Sequence, residues 1–345
     1  MGTIRLALIG AGGIGRAHLH AAAETPGVSI CAIADPNPAA RAIADAFGKK
    51  LYPDHRALLD AEQPDGVIIA TPNALHVPVA LDCVSRGVPV LVEKPVADTM
   101  EAARLLLDAA RKAGVPVLVG HHRRHNRIIR RARRLVQEGA LGRLVAVSAL
   151  ALFLKPDGYF DVAWRKSAAG GPVLINLIHE IDMLRFVCGE IVSVGAATSN
   201  EVRRFAVEDT ASIILRLENG ALATVILSDT AASPWSWDVA SGESSTLYKT
   251  NADSHFLCGT EGSLTLPSLT LWRYPGARGW GQPILAESMA VAPGNPYAEQ
   301  LRHFAAVIRR EEAPLTSADD GSRTLAATLA VKRAAGSGEI VTLAG

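Results

Sequence analysis

The chain has 345 residues, and at ~150 residues per domain that length points to two domains, each with room for a sizeable core. Lys plus Arg is 35 against 34 Asp plus Glu, a formal net charge of +1, with 49% hydrophobic and 20% charged residues. Such a balance describes a folded chain and excludes a generally basic nucleic-acid binder, an acidic tail protein and a disordered chain.

The four cysteines, Cys31, Cys83, Cys188 and Cys258, are scattered and form no C-x-x-C pair. They read as small apolar residues in a reducing compartment, and a cytoplasmic protein is expected. The apolar start at 4–9 is too short for a signal peptide and runs into a glycine turn. Met1-Gly2 lacks the Ser or Thr at position 6 that myristoylation requires, and no apolar run approaches the ~20 residues of a membrane span.

The first 120 residues alternate strand and helix. Short apolar strands are predicted at 5–9, 28–34, 66–70, 89–92 and 115–119, with helices at 14–24, 38–47, 75–86 and 99–113. Continuous apolar strands joined by helices predict a parallel sheet covered on both faces, hence a doubly wound α/β fold. Near residue 121 the pattern changes. A basic helix is predicted at 127–138, a long strand at 144–153, a helix at 172–188, and extended segments at 191–198, 211–217 and 221–228. Glu218-Asn219-Gly220 is a hairpin signal, and 256–258 with 263–266 reads as another hairpin. Helices at 296–310 and 318–335 close the chain, the last capped by Ser317 with Asp320. This half reads as α+β, with a large, mostly antiparallel open sheet. The expected division is a doubly wound domain at 1–121 and an α+β domain at 122–345.

Gly10-Ala-Gly12-Gly13-Ile14-Gly15 follows the first strand and opens a helix. Glycines there permit a tight turn and close approach to a pyrophosphate, and the helix N-terminus offers N–H groups to it. Asp35 ends the second strand, 20 residues after Gly15. A carboxylate at that place accepts ribose hydroxyls and repels a 2′-phosphate, so NAD is expected rather than NADP. Gly10, Gly12, Gly13, Ile14 and Asp35 are therefore cofactor candidates.

Two further loops follow strands. Thr71-Pro72-Asn73, with His76 a turn later, follows the strand at 66–70; Glu93-Lys94-Pro95 follows the strand at 89–92. Both fall outside the carboxyl ends of the strands, where open α/β sheets bind ligands. These residues join the cofactor candidates. A lysine beside a nicotinamide has a chemical use: burial and a nearby cation depress its pKa, so that it exchanges a proton with a substrate hydroxyl.

In the second half, Gly170-Gly171-Pro172 opens an apolar run containing Asn176, His179, Glu180 and Asp182. Asn176, His179 and Asp182 are three apart and share a helix face, a pattern that suits a hydroxyl-binding wall. A His-x-x-Asp pair offers only two metal ligands, and no metal site is expected.

Together the glycine loop, Thr71-Pro72-Asn73 with His76, Glu93-Lys94-Pro95 and Gly170-Gly171 with His179 and Asp182 resemble the Gfo/Idh/MocA oxidoreductases. The resemblance covers almost the whole chain. It implies a Rossmann domain followed by an α/β domain whose open sheet builds homodimers or homotetramers. It implies a bound nicotinamide cofactor and a small cyclic sugar or polyol as substrate. Lys94 matches the family's catalytic lysine and His179 its active-site histidine. Trp164-Arg165 resembles a segment that lies by the cofactor, and Asn295-Pro-Tyr297 the start of a helix whose aromatic reaches the pocket. One position departs from the pattern: where many members have an Asp four residues before the histidine, this chain has Ile175. Asn176 or Asp182 is left to take that role.

Residues 123–134 hold seven arginines, alternating with Ile128, Ile129, Ala132 and Leu135 in a way that reads as a solvated amphipathic helix rather than a nucleic-acid surface. Arg123 and Arg124, ahead of that helix, suit an anionic group, which gives a second reading: a dehydrogenase of carboxylated ring dihydrodiols. A third is a cofactor-dependent sensor without catalysis, against which the presence of Lys94 and His179 speaks. Trp235 and Trp237, near Asp229, are expected either to pack a sugar ring or to line an interface.

Overall fold

The structure, a computed structural model, describes residues 2–167, 170–244 and 247–343. Among them the chain forms two compact units, residues 1–126 with 294–325, and residues 127–293 with 326–345.

The first unit carries β1 (Ile4–Ile9), α1 (Gly13–Ala23), β2 (Val28–Ala34), α2 (Ala40–Ala46), β3 (Lys50–Tyr52), α3 (His55–Glu62), β4 (Gly66–Ile69), α4 (His76–Ser85), β5 (Val90–Glu93), α5 (Met100–Ala113) and β6 (Val117–Gly120). The six strands are parallel, in the order β3-β2-β1-β4-β5-β6. This is the order of a dinucleotide-binding Rossmann sheet. The strands β4, β5 and β6 are buried at every residue, which is why they read as unbroken apolar runs. α5 shows how local signals set helix ends: Thr99 Oγ1 accepts from Ala102 N at 3.1 Å, and Gly114 closes the helix in the left-handed region at φ +64°.

The doubly wound half is as predicted, with two additions. β3 and α3 lie between the predicted helix at 38–47 and the strand at 66–70. Asp54 caps α3, its Oδ1 accepting from Ala57 N at 2.9 Å.

The chain also returns to this unit late, in a segment that the sequence assigns to the second half. Ala298, Leu301, Phe304 and Ala305 join the core formed by Leu6, Leu8, Ile33, Ile68 and Leu91. The contact is close: a Cβ on Gly66 would lie 2.6 Å from Ile308 Cδ1. Val119 N donates to Thr316 O at 2.8 Å, so the returning segment extends the edge at β6.

The second unit begins with α6 (Arg127–Gln137) and β7 (Leu144–Leu152), followed by a π-helical turn (Val173–Leu177) that leads into α7 (Ile178–Cys188). The predicted helix at 172–188 is thus interrupted at its start. Next come β8 (Ile191–Ser199), β9 (Thr210–Leu217), β10 (Leu222–Ser228), the short α8 (Trp237–Ala240), β11 (His255–Gly259), β12 (Gly262–Leu266), β13 (Thr270–Arg273) and β14 (Leu285–Ser288). After α9 (Pro296–Ile308), on the first unit, come α10 (Ala318–Ser337) and β15 (Val341–Thr342), which pairs with β8. The nine strands are ordered β14-β13-β12-β11-β7-β10-β9-β8-β15, and all pairs are antiparallel except β10 with β7. β9 alternates buried and exposed residues, so one face carries the core and the other is open. α6 buries Ile129, Ala132 and Leu135 and exposes Arg127, Arg130 and Arg134, the amphipathic pattern predicted for it.

All four cysteines are unpaired, and burial pushes the Cys83 and Cys188 thiols up to about 12. Among the described residues, no helix is long and apolar enough to cross a membrane, and no group of three or more His, Cys, Asp or Glu side chains is arranged for a metal ion.

Candidate active site

The carboxyl edge of the parallel sheet gathers the loops after β1, β4 and β5. The first is the glycine turn. Gly10 has φ +94°, and a Cβ there would lie 2.5 Å from Ala70 O, so only glycine allows the turn to pass against the end of β4. A Cβ on Gly15 would lie 2.1 Å from Gly10 O, so α1 sits directly against the turn it follows. Gly12 and Gly13 differ: both are exposed, and nothing lies within 4 Å of a Cβ built on either. That open space lies at the N-terminus of α1, where unsatisfied N–H groups and the helix dipole favour a phosphate.

Asp35 lies just past β2, half-buried. Its Oδ2 accepts from Ala11 N at 2.8 Å and its Oδ1 from Asn37 N at 2.8 Å. The carboxylate is thereby fixed against the glycine turn, and each oxygen keeps a lone pair for a further donor. Thr71 Oγ1, after β4, is buried without a hydrogen-bond partner. An open glycine cradle, an oriented carboxylate and an orphaned hydroxyl on one sheet edge fit a dinucleotide with unmodified ribose hydroxyls. Pro72 and Asn73 lie exposed after β4, and Ile14 lies exposed in the first turn of α1.

The side chains of His76 and Glu93 turn inward. His76 is buried, with Nδ1 2.7 Å from Pro95 O and Nε2 2.9 Å from Thr71 O. It ties the Thr71 loop to the Pro95 loop, and burial pulls its pKa below the usual histidine value despite both carbonyls. A neutral ring carries one N–H, so in either tautomer it donates to one of these two carbonyls and not to both. The Glu93 carboxylate also points inward. Its Oε1 lies 2.7 Å from His18 Nε2 on α1. Burial pushes its carboxyl up, but the His18 hydrogen bond and the electrostatic influence of His18, His122 and Lys94 outweigh this and hold it below the usual range. Lys94 itself is half-buried, and its N–H faces Glu93 Oε2 at 3.4 Å. The Lys94–Pro95 peptide bond is cis.

Tyr297 packs on the first unit's own side chains. Its ring stacks on His122 (centroids 4.4 Å apart) and meets His18 edge-on at 5.3 Å. Arg123 and Arg124 are buried, and Arg124 pairs with Asp320. The charge expected to meet a substrate anion is therefore compensated inside the fold at Arg124.

In the second unit, Asn176 and His179 are half-buried, whereas Asp182 is 1% exposed. The three-residue spacing breaks down because Asn176 sits in the π-helical turn rather than in α7. Asp182 faces the interior of an almost wholly buried helix and offers no open carboxylate. Trp164 exposes half its ring, and Arg165 stacks on Tyr159 with its guanidinium 4.0 Å from the ring centre. Trp237 is a core residue, its Nε1 donating to Glu243 at 2.9 Å; Trp235 is exposed. Two residues that the sequence does not single out matter here. His18 is buried one turn along the helix that the glycine loop opens. Lys155 is a buried lysine whose Nζ donates to Asn176 Oδ1 at 2.7 Å.

Residues 4–121 match the family described as "Oxidoreductase family, NAD-binding Rossmann fold", and residues 129–265 match the "GFO/IDH/MocA C-terminal domain". The chain belongs to the Gfo/Idh/MocA family of oxidoreductases, and its first domain is an NAD-binding Rossmann domain. It is 31% identical to D-apiose dehydrogenase of Paraburkholderia graminis, over 98% of this chain and 89% of that one. It is 30% identical to inositol 2-dehydrogenase 2 of Saccharopolyspora erythraea, over 80% and 78%. Among solved structures, the WlbA dehydrogenase of Bordetella pertussis, in complex with NADH and UDP-GlcNAcA, superposes with a TM-score of 0.80 at 25% identity, covering 99% of each chain.

The two kinds of glycine give separable outcomes. Gly15→Ala is expected to displace the Gly10 carbonyl, lowering the thermal midpoint and weakening NAD binding by at least about tenfold, roughly 1.4 kcal/mol. Gly12→Ala has room in the fold, so it should leave the midpoint unchanged while weakening NAD binding measured by calorimetry. Wild-type affinity in Gly12→Ala would show that no pyrophosphate rests there.

Proposed function

We propose that this oxidoreductase interconverts a ring hydroxyl and the corresponding ketone on a cyclic sugar or polyol, with NAD as cofactor and Lys94 as the acid–base residue. The observation that carries the reading is the place of Lys94. It follows β5 on the carboxyl edge of the parallel sheet, half-buried, on the same edge as the glycine turn and the orphaned Thr71 hydroxyl. Relatives named for a sugar and for an inositol support the substrate class.

Gly10, Gly12, Gly13, Ile14, Asp35, Thr71, Pro72 and Asn73 would hold the cofactor, with His76 and Glu93 supporting their loops from behind. When bound, NAD supplies the hydride acceptor. Lys94 Nζ takes the proton of the reacting hydroxyl during oxidation and returns it during reduction. The Glu93 carboxylate, fixed by His18, anchors the backbone from which that lysine extends. His179 is assigned a hydrogen bond to a substrate hydroxyl. The exposed Trp164 ring suits an apolar sugar face, with Arg165 held behind it by Tyr159 O, 2.6 Å from Nη1. A carboxylated-ring substrate held by Arg123 or Arg124 has less support, because Arg124 already has its counter-ion in Asp320. The four unpaired thiols support a reducing cytoplasm as the place of action.

We also infer that the open face of the nine-stranded sheet receives a second copy of the chain. β9 and β10 present Ile214, Leu222 and Thr224 there, and β11, on the far side of β7, presents Phe256. An apolar sheet face of this kind marks an interface.

NADH formation from NAD⁺ is to be followed with a panel of aldoses, inositols and sugar acids. One substrate group is expected to turn over, and Lys94→Ala should lower kcat by about 10²- to 10⁴-fold while NAD affinity persists. Near-wild-type turnover in Lys94→Ala removes the lysine from the chemistry. In sedimentation velocity, the wild type is expected as a dimer or tetramer and Ile214→Lys as a smaller species. A monomeric wild type contradicts the interface.

A further inference from the structure

Lys155 stands just past β7, in Phe153-Leu-Lys155-Pro156. A lysine at the end of an apolar strand is ordinarily solvated, yet this side chain is only 6% exposed. Its ammonium donates to Asn176 Oδ1 at 2.7 Å and lies 3.4 Å from Asp229 Oδ2. The Tyr159 ring centre is 4.8 Å away. Arg203 holds the other side of Asp229, with Nε 3.1 Å from Oδ1 and Nη2 2.7 Å from the Asp229 carbonyl oxygen. Burial pulls the Lys155 pKa below the usual lysine value, and Asp229 pulls it back.

An apolar side chain of similar length would fill this space without desolvating a charge. A buried ammonium is weak evidence of stability, and it is better explained by the directed bond it makes. That bond reaches the π-helical turn at Val173–Leu177, which leads into α7 and His179. Each residue of an α-helix turns the chain by about 100°, so one residue added to a turn resets the direction of every side chain beyond it. Whatever holds the π turn therefore sets where His179 points. The same bond occupies the Asn176 carbonyl oxygen. That oxygen keeps a second lone pair, and Asn176 adds an Nδ2 donor that a carboxylate lacks.

We propose that Lys155 is a positioning residue for the reaction: by holding Asn176 Oδ1 it fixes the π-helical turn and thereby the orientation of His179. This rests on the reading of His179 as a substrate-facing group.

Lys155→Met, Asn176→Leu and the double variant test it, with NAD⁺ and the sugar or inositol that the wild type turns over fastest. Asn176→Leu breaks the same bond while leaving Asp229 its two cations, so a misfolded Lys155→Met does not end the test. The carbon-bound proton signals of the His179 ring, identified by their loss in His179→Gln, give a readout that needs no substrate. Both single variants are expected to shift those signals, with no further shift in the double. They should lower kcat at least tenfold with a smaller change in KM, and the double should be no worse than the worse single. Lys155→Arg should recover part of the loss. Wild-type His179 signals in both single variants overturn the positioning role. Shifted signals with unchanged kcat leave the coupling in place and overturn the assignment of His179 to the reaction.

Discussion

A buried carboxylate locates the parts of the first unit against one another. An ionised glutamate removed from water costs several kcal/mol unless it is paired. Glu93 meets that demand with His18, 2.7 Å away. The pair fastens α1, which opens at the glycine turn, to β5, which delivers Lys94. Neither element shifts without stranding a charge. Gly120 on β6 completes the enclosure, since a Cβ there would lie 2.9 Å from Glu93 Oε1. Tyr297, on the segment that returns late in the chain, covers the edge of His18. Cofactor turn, lysine strand and returning helix are therefore held by one set of contacts.

The second unit uses the same device. Glu180 on α7 meets His255 on β11 at 2.7 Å, both buried, and Asp229 after β10 is shared by Lys155 and Arg203. Such pairs contribute little beyond apolar packing of equal volume, but losing one partner costs about 3–5 kcal/mol. Their effect is to penalise alternative registers of α7 and of the loops at the strand ends. A helix buried on nearly every side, as α7 is, has no amphipathic stripe to set its rotation.

The doubly wound half was legible because its strands are buried on both faces and because Gly10, Gly12, Gly15 and Asp35 occupy positions that only a dinucleotide turn requires. β3 and α3 leave weak signals: β3 has three residues, and α3 is a short helix marked by the Asp54 cap. The return of the segment at 294–325 was not legible, since an amphipathic helix announces that it has a partner without saying which. The same holds for single polar residues. His76, Tyr297 and Asp182 lie on the helices expected for them, but their side chains pack inward, as do those of Glu93 and Trp237, and periodicity carries no trace of partners such as Pro95 O for His76 or His18 for Glu93. Lys155 was invisible because its burial depends on Asp229 and Asn176, brought together only by the sheet. The π-helical turn leaves no periodic trace, so Asn176 and His179 were placed on a shared face that the structure breaks.

The most direct test of the Glu93–His18 constraint is the thermal midpoint of the wild type and Glu93→Gln as a function of pH. A glutamate held below its ordinary value of about 4.3 contributes stability that is complete above that value and is lost as pH falls through the lower folded value. The wild type is expected to exceed the variant at neutral pH, with the difference shrinking as pH falls below about 4. Parallel curves, with the difference unchanged into acid, would mean that Glu93 is held by packing alone and that its charge does not fasten α1 to β5.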